Sequence, residues 1–123
     1  MGRPRNPSAP YSRFRSGAAS PATKAVVLPP ECPYDPPPVP AYVDWDDDQR
    51  ARWDDLWKSP QATMWDQSAA VVVAVLVTYE RAILTGSASA WQAQEWRYAT
   101  TALGLTPKAL QKLNWTIGDG NDN

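Results

Sequence analysis

Residues 69–84 read AAVVVAVLVTYERAIL, and whether this stretch is a strand or a helix decides the fold. The run Ala69–Val77 is uninterrupted apolar and rich in β-branched valine, which suits a buried strand. Length and spacing outweigh composition. Ala69, Val72, Leu76, Tyr79 and Ile83 follow one another at intervals of three and four, the seam of a helix. Val73, Val77 and Leu84 form a second stripe beside it. The spacing predicts a helix from Asp66 to Leu84. A helix that is apolar on more than one face must be covered on more than one face, and copies of the same chain are one source of cover.

Working outward, Thr85-Gly86-Ser87 breaks the pattern, and a third helix starts at Ser89, with Gln92 completing a capping box. It ends near Leu103. Trp91, Tyr98 and Ala102 make one stripe of it, and Trp96, Ala99 and Leu103 a neighbouring one. A short loop joins these two helices, so they lie antiparallel as the central pair. Leu103-Gly104-Leu105-Thr106-Pro107 then reads as a corner. Gly104 takes the left-handed conformation that closes a helix, Thr106 caps the next one, and Pro107 occupies a position where no N–H is needed. Leu105 and Leu110 fall at the two positions of a hydrophobic staple. A short fourth helix runs from Pro107 to about Trp115, with Leu110 and Leu113 facing in and Lys108 and Lys112 facing out.

Upstream, a first helix is expected from Asp46 to Lys58, with Asp46 and Gln49 as a capping box and Ser59-Pro60 as its end. Trp53, Leu56 and Trp57 are its buried stripe. Asp46/Arg50, Asp48/Arg52 and Asp54/Lys58 stand four residues apart with the acid first, the order that supports a helix. No internal repeat is present.

Residues 1–43 have another character. They hold 11 of the 13 prolines and the single cysteine, whereas all seven tryptophans lie beyond them. So much proline neither propagates a helix nor completes a sheet ladder. The expected architecture is therefore all-α. It comprises a Pro-rich unfolded arm (1–43), a small helical domain (44–117) with a central antiparallel pair, a Gly-Leu-Thr-Pro corner and a short last helix, and a disordered tail (118–123). The net charge of −1 hides a polarity: the arm sums to +3, residues 44–117 to −2, and the tail to −2. Arg3, Arg5, Arg13, Arg15 and Lys24 of the arm precede any acid, an arrangement drawn to an anionic partner such as nucleic acid, or simply a solubilising tail.

Catalytic chemistry is hard to find. There is no histidine for acid–base work or for a triad, no P-loop and no GxGxxG. One cysteine excludes a disulfide framework and a multi-thiolate zinc site. Asp44, Asp46, Asp47 and Asp48 lack the spacing of a calcium loop and read as a helix N-terminus decorated with acids. No catalytic residue, metal or cofactor is expected. The tryptophans share helical faces with aliphatics, so they read as packing residues rather than base-stacking platforms. Lys108 and Lys112 after the corner, with Arg97 before it, suit either a helix-turn-helix reader or an ordinary solvated corner. The apolar run of nine residues falls short of the roughly 20 that span a bilayer, and the arm holds no apolar leader segment, so a soluble intracellular protein without membrane contact is expected.

Trp53-Asp54-Asp55-Leu56-Trp57-Lys58-Ser59-Pro60, an apolar helix, Leu103-Gly104-Leu105-Thr106-Pro107 and a closing Leu113-Asn114-Trp115 stand here in order. This succession resembles the small terminase subunit of tailed bacteriophages, over residues 45–117, and most of all the group found in phages of actinobacteria. The chain departs from that group in a fourth helix poorer in arginine and a second helix richer in valine. The resemblance implies a non-catalytic protein of the host cytoplasm that forms a homo-oligomeric ring. Such a protein recognises double-stranded viral DNA and presents it to a large terminase subunit bearing the ATPase and nuclease. On that reading the DNA contacts are Arg3, Arg5, Arg13, Arg15, Lys24, Arg97, Lys108 and Lys112, and the subunit interface is Val72, Val73, Leu76, Tyr79, Ile83, Trp91 and Tyr98. A phage head-assembly or connector protein and a dimeric helix-turn-helix regulator are the alternatives.

Overall fold

Four helices and one short pair of strands make up residues 25–118, the part of the chain that the computed structural model describes. In chain order they are β1 (Val26–Leu28), α1 (Asp47–Trp57), a 3-10 turn (Pro60–Met64), α2 (Ala69–Leu84), α3 (Ala90–Ala102), α4 (Pro107–Leu113) and β2 (Trp115–Ile117). The valine-rich stretch is helical, and the fold is a small all-α domain.

Local chemistry sets the helix ends. In α1 the Asp46 carboxylate accepts the Gln49 N–H at 2.9 Å, and the Gln49 side chain accepts the Asp46 N–H at 3.1 Å. Ser89 and Gln92 make the same reciprocal pair at the start of α3. Thr106 Oγ1 accepts the Ala109 N–H at 3.0 Å, with Pro107 leading α4. Both α2 and α3 close on a left-handed glycine. At Gly86 (φ +80°) the Ser87 N–H reaches back to the Ala82 carbonyl and the Gly86 N–H to Ile83. At Gly104 (φ +75°) Leu105 and Gly104 do the same to Thr100 and Thr101. These double closures satisfy the last carbonyls of each helix.

The core is a ladder of indoles. Trp45 lies 5.6 Å from Trp53, Trp53 lies 5.6 Å from Trp57, and Trp57 meets Trp65 edge-on at 5.1 Å. Such pairs add about 0.5–1.5 kcal/mol each beyond the area they bury. Three of the four indoles place their N–H on an acceptor: Trp45 Nε1 donates to Thr78 Oγ1, Trp53 Nε1 to the Pro37 carbonyl and Trp65 Nε1 to the Leu103 carbonyl. Against this ladder pack Ala69, Val73, Leu76 and Val77 of α2 with Ala99 and Leu103 at the end of α3.

The arm expected over residues 1–43 divides. Residues 1–24 lie outside the described residues. Residues 25–43 run over the helices. Val26-Val27-Leu28, a proline-free β-branched stretch, pairs in parallel with Trp115-Thr116-Ile117. Leu28 and Cys32 are buried, the Cys32 N–H donates to the Lys58 carbonyl, and Val39 and Val43 pack on the core. Proline lacks only a donor; its carbonyl at Pro37 still accepts from Trp53, so the Pro-rich segment serves as a strap. Of the expected tail, residues 119–123 lie outside the described residues.

Three further expectations are corrected. Val73 and Leu76, expected between subunits, are 0% exposed inside a single chain, because the indole ladder already covers them. The ion pairs of this region run from α1 and its cap across to α2 rather than along α1: Arg81 reaches Asp46 at 2.8 Å and Asp48 at 3.8 Å, and Arg52 grips Glu80 through two nitrogens at 2.8 and 3.2 Å. In α4 the fully buried residue is Ala109, with Leu110 and Leu113 only partly covered.

Candidate nucleic-acid and subunit surfaces

The charge of the folded part is segregated by element. Residues 44–84, which include α1 and α2, carry eight acids and four bases, whereas residues 85–118, which include α3 and α4, carry one acid and three bases. Three of those eight acids are internally engaged, since Asp46, Asp48 and Glu80 face Arg81 and Arg52. The three bases of the second half, Arg97 on α3 and Lys108 and Lys112 on α4, are all exposed on adjoining helices. Arg3, Arg5, Arg13, Arg15 and Lys24 lie outside the described residues.

What the structure adds is the root of that basic segment. The Val26 N–H donates to the Asn114 carbonyl at 3.0 Å, and Val26 stands opposite Trp115 in the strand pair. Lys24 precedes Val26 by two residues, and Lys112 precedes Asn114 by two. The described part of the chain therefore starts beside the end of α4, with Lys24 just before it in sequence. Asn114 makes this possible by adopting φ +62°, which turns the chain from α4 directly into β2. The other end of the strand pair, where the Gly118 N–H meets the Leu28 carbonyl, leads to the tail bearing Asp119 and Asp122.

A second surface is apolar. Trp91 and Tyr98 are 60% and 59% exposed, as their shared stripe on α3 suggests. Tyr79 and Ile83 are partly covered, Tyr79 by the edge of Trp91 at 5.9 Å, and Val72 packs against the core. Sequence reasoning did not single out Val71 (60% exposed), Val75 and Tyr42. Together with Val43, Trp45 and Tyr79 they line a groove of about 400 Å³ between α2 and the residues leading into α1. The four-residue spacing of Val71, Val75 and Tyr79 was the available signal, submerged in a helix apolar all round. Among the described residues no helix is long and apolar enough to cross a membrane.

A family model described as phage terminase small subunit matches residues 2–122. The chain belongs to that family. No curated protein and no solved structure gives a significant match. Membership in the terminase small subunit family gives the chain its role in phage DNA packaging. The match extends through the Pro-rich strap, the part of the chain that the helix pattern alone would have left out.

Proposed function

We propose that this terminase small subunit is a non-catalytic, ring-forming DNA-binding protein of the host cytoplasm, from the group found in phages of actinobacteria. It recognises viral double-stranded DNA and presents it to the large subunit, which carries the ATPase and nuclease. The observation that carries the DNA part is the hydrogen bond from Val26 to Asn114. It joins the root of an acid-free segment of five cations to the helix that bears Lys108 and Lys112, beside the helix that bears Arg97. Arg3, Arg5, Arg13, Arg15, Lys24, Arg97, Lys108 and Lys112 are weak phosphate contacts taken singly. Repetition around a ring raises their joint strength without new chemistry.

Support for the ring comes from the outward apolar face of the central pair. Tyr79, Ile83 and Trp91, with Val71 and Val75, are the side chains a neighbouring copy would cover; Val72 contributes from the margin, and Tyr98, first expected among them, is set apart because its hydroxyl accepts from the Gln94 amide. Scattered exposed hydrophobics need no explanation, but a contiguous groove with aromatic walls suits a partner.

The test is binding of a mixed-sequence 40-base-pair duplex by the full chain and by a version lacking residues 1–24, across a salt series. Steep weakening with salt and a shallower slope for the shortened chain are expected. Equal slopes would remove the basic segment from the mechanism. A head-assembly or connector role rests on the apolar face alone, and the absence of any duplex binding at low salt favours it.

A further inference from the structure

In a helix-turn-helix the helix after the corner is the reader, but α4 is only seven residues long, about 10 Å. The helix before the corner, α3, has thirteen residues and about twice the reach. Its outward side carries Gln94, Arg97 and Thr101 at intervals of three and four, so they share one stripe. All three are exposed, and no acid interrupts the stripe. With Tyr98 and Ala102 they line a shallow depression of about 410 Å³.

Resting on the DNA-binding reading above, we infer that this stripe is the sequence-reading face, with Gln94 contacting base edges, and that the lysines of α4 and the basic segment supply only backbone attraction. The chemistry of Gln94 is the reason. Its Nε2 donates to the Tyr98 hydroxyl at 2.8 Å. One amide hydrogen and the amide oxygen stay available, held in orientation by that bond. An adjacent donor and acceptor is the set that matches the N7 and N6 edge of adenine in the major groove. Arg97, one turn along, has the fork that suits a phosphate or the O6 and N7 of guanine. Thr101 brings a hydroxyl at the far end. Charge selects nucleic acid over a second copy as occupant: the stripe holds a cation and no acid, and the next helix adds two lysines. Tyr98 acts through Gln94 and is thus a positioning residue.

The experiment uses the full-length chain and a pool of duplexes with a randomised 20-base-pair centre, selected by binding and sequenced, together with native mass. Alanine at an exposed helical position preserves the helix. Gln94→Ala is expected to lower discrimination roughly 5- to 150-fold at one position of the enriched sequence. Tyr98→Phe, which keeps the ring and removes the hydroxyl, is expected to relax the same position partially with unchanged mass. Lys108→Ala and Lys112→Ala should weaken all sequences alike and lower the salt slope by about one each. Two results overturn the inference and leave the broader DNA role standing. One is duplex binding by the parent chain with no enriched sequence, or with one that survives both Gln94→Ala and Tyr98→Phe. The other is a drop in native mass for Gln94→Ala, which would make the stripe a subunit contact. No duplex binding by the parent at 50 mM salt defeats both readings together.

Discussion

Two glycines with nearly the same backbone angle carry different burdens. Gly86 and Gly104 both close a helix at positive φ, a conformation that costs an ordinary residue about 1–2 kcal/mol. A Cβ on Gly86 would meet nothing within 4 Å, whereas one on Gly104 would lie 2.5 Å from Cζ3 and 2.8 Å from Cε3 of Trp115. Gly86→Ala should therefore lower stability by about 1 kcal/mol. Gly104→Ala should lower it by about 2–4 kcal/mol, because overpacking adds to the backbone strain. Urea unfolding of the two variants checks this, and equal losses would mean that Trp115 yields easily. The left-handed need at Gly104 was legible from Leu-Gly-Leu-Thr-Pro, because a helix end is local. The indole pressed against it was not, because Trp115 returns from eleven residues downstream only through the geometry of α4.

Among the elements, three helices were readable because their caps are written within four residues, Asp46 with Gln49, Ser89 with Gln92 and Thr106 with Ala109, whereas α2, which has no side-chain cap, was readable from its three-and-four spacing. Ser89→Ala is expected to cost about 1 kcal/mol, seen as a lower melting temperature. What pairs with what over longer distances was not readable. Arg81 lies 33 and 35 positions from Asp48 and Asp46, and the short-range pairs within α1 gave no hint of it. Nor did periodicity reveal which side of α2 the chain itself covers, since valine occupies every side. That difference has a measurable sign. Val71→Asp, on the open side, should reduce native mass while leaving the melting temperature within a few degrees. Val73→Asp, placing a carboxylate among the indoles, should prevent folding altogether. If Val71→Asp leaves the mass of an oligomeric parent unchanged, the groove is not where copies meet.

At the scale of the whole molecule, the strap changes what a truncation means. Composition alone placed residues 1–43 outside the fold, since prolines weigh against regular structure. The structure keeps residues 25–43 within it because an extended chain can still offer carbonyls to indoles and side chains to a core. Removing residues 1–24 should spare the melting temperature. Removing residues 1–28 should lower it clearly, because Leu28 (1% exposed) and the whole β1–β2 ladder go with them. Thermal denaturation of the two shortened chains separates a DNA-attracting segment from a structural one, and identical curves would show the strand pair to be dispensable.

That same ladder dictates a sequence of events during synthesis. Val26-Val27-Leu28 leaves the ribosome early, but its partner Trp115-Thr116-Ile117 is translated almost ninety residues later. A greasy, strand-forming tripeptide must wait through the making of every helix, which is when sticking to other nascent chains is most dangerous. Of the described elements, the strand pair is therefore the last that can close, after all four helices have been made.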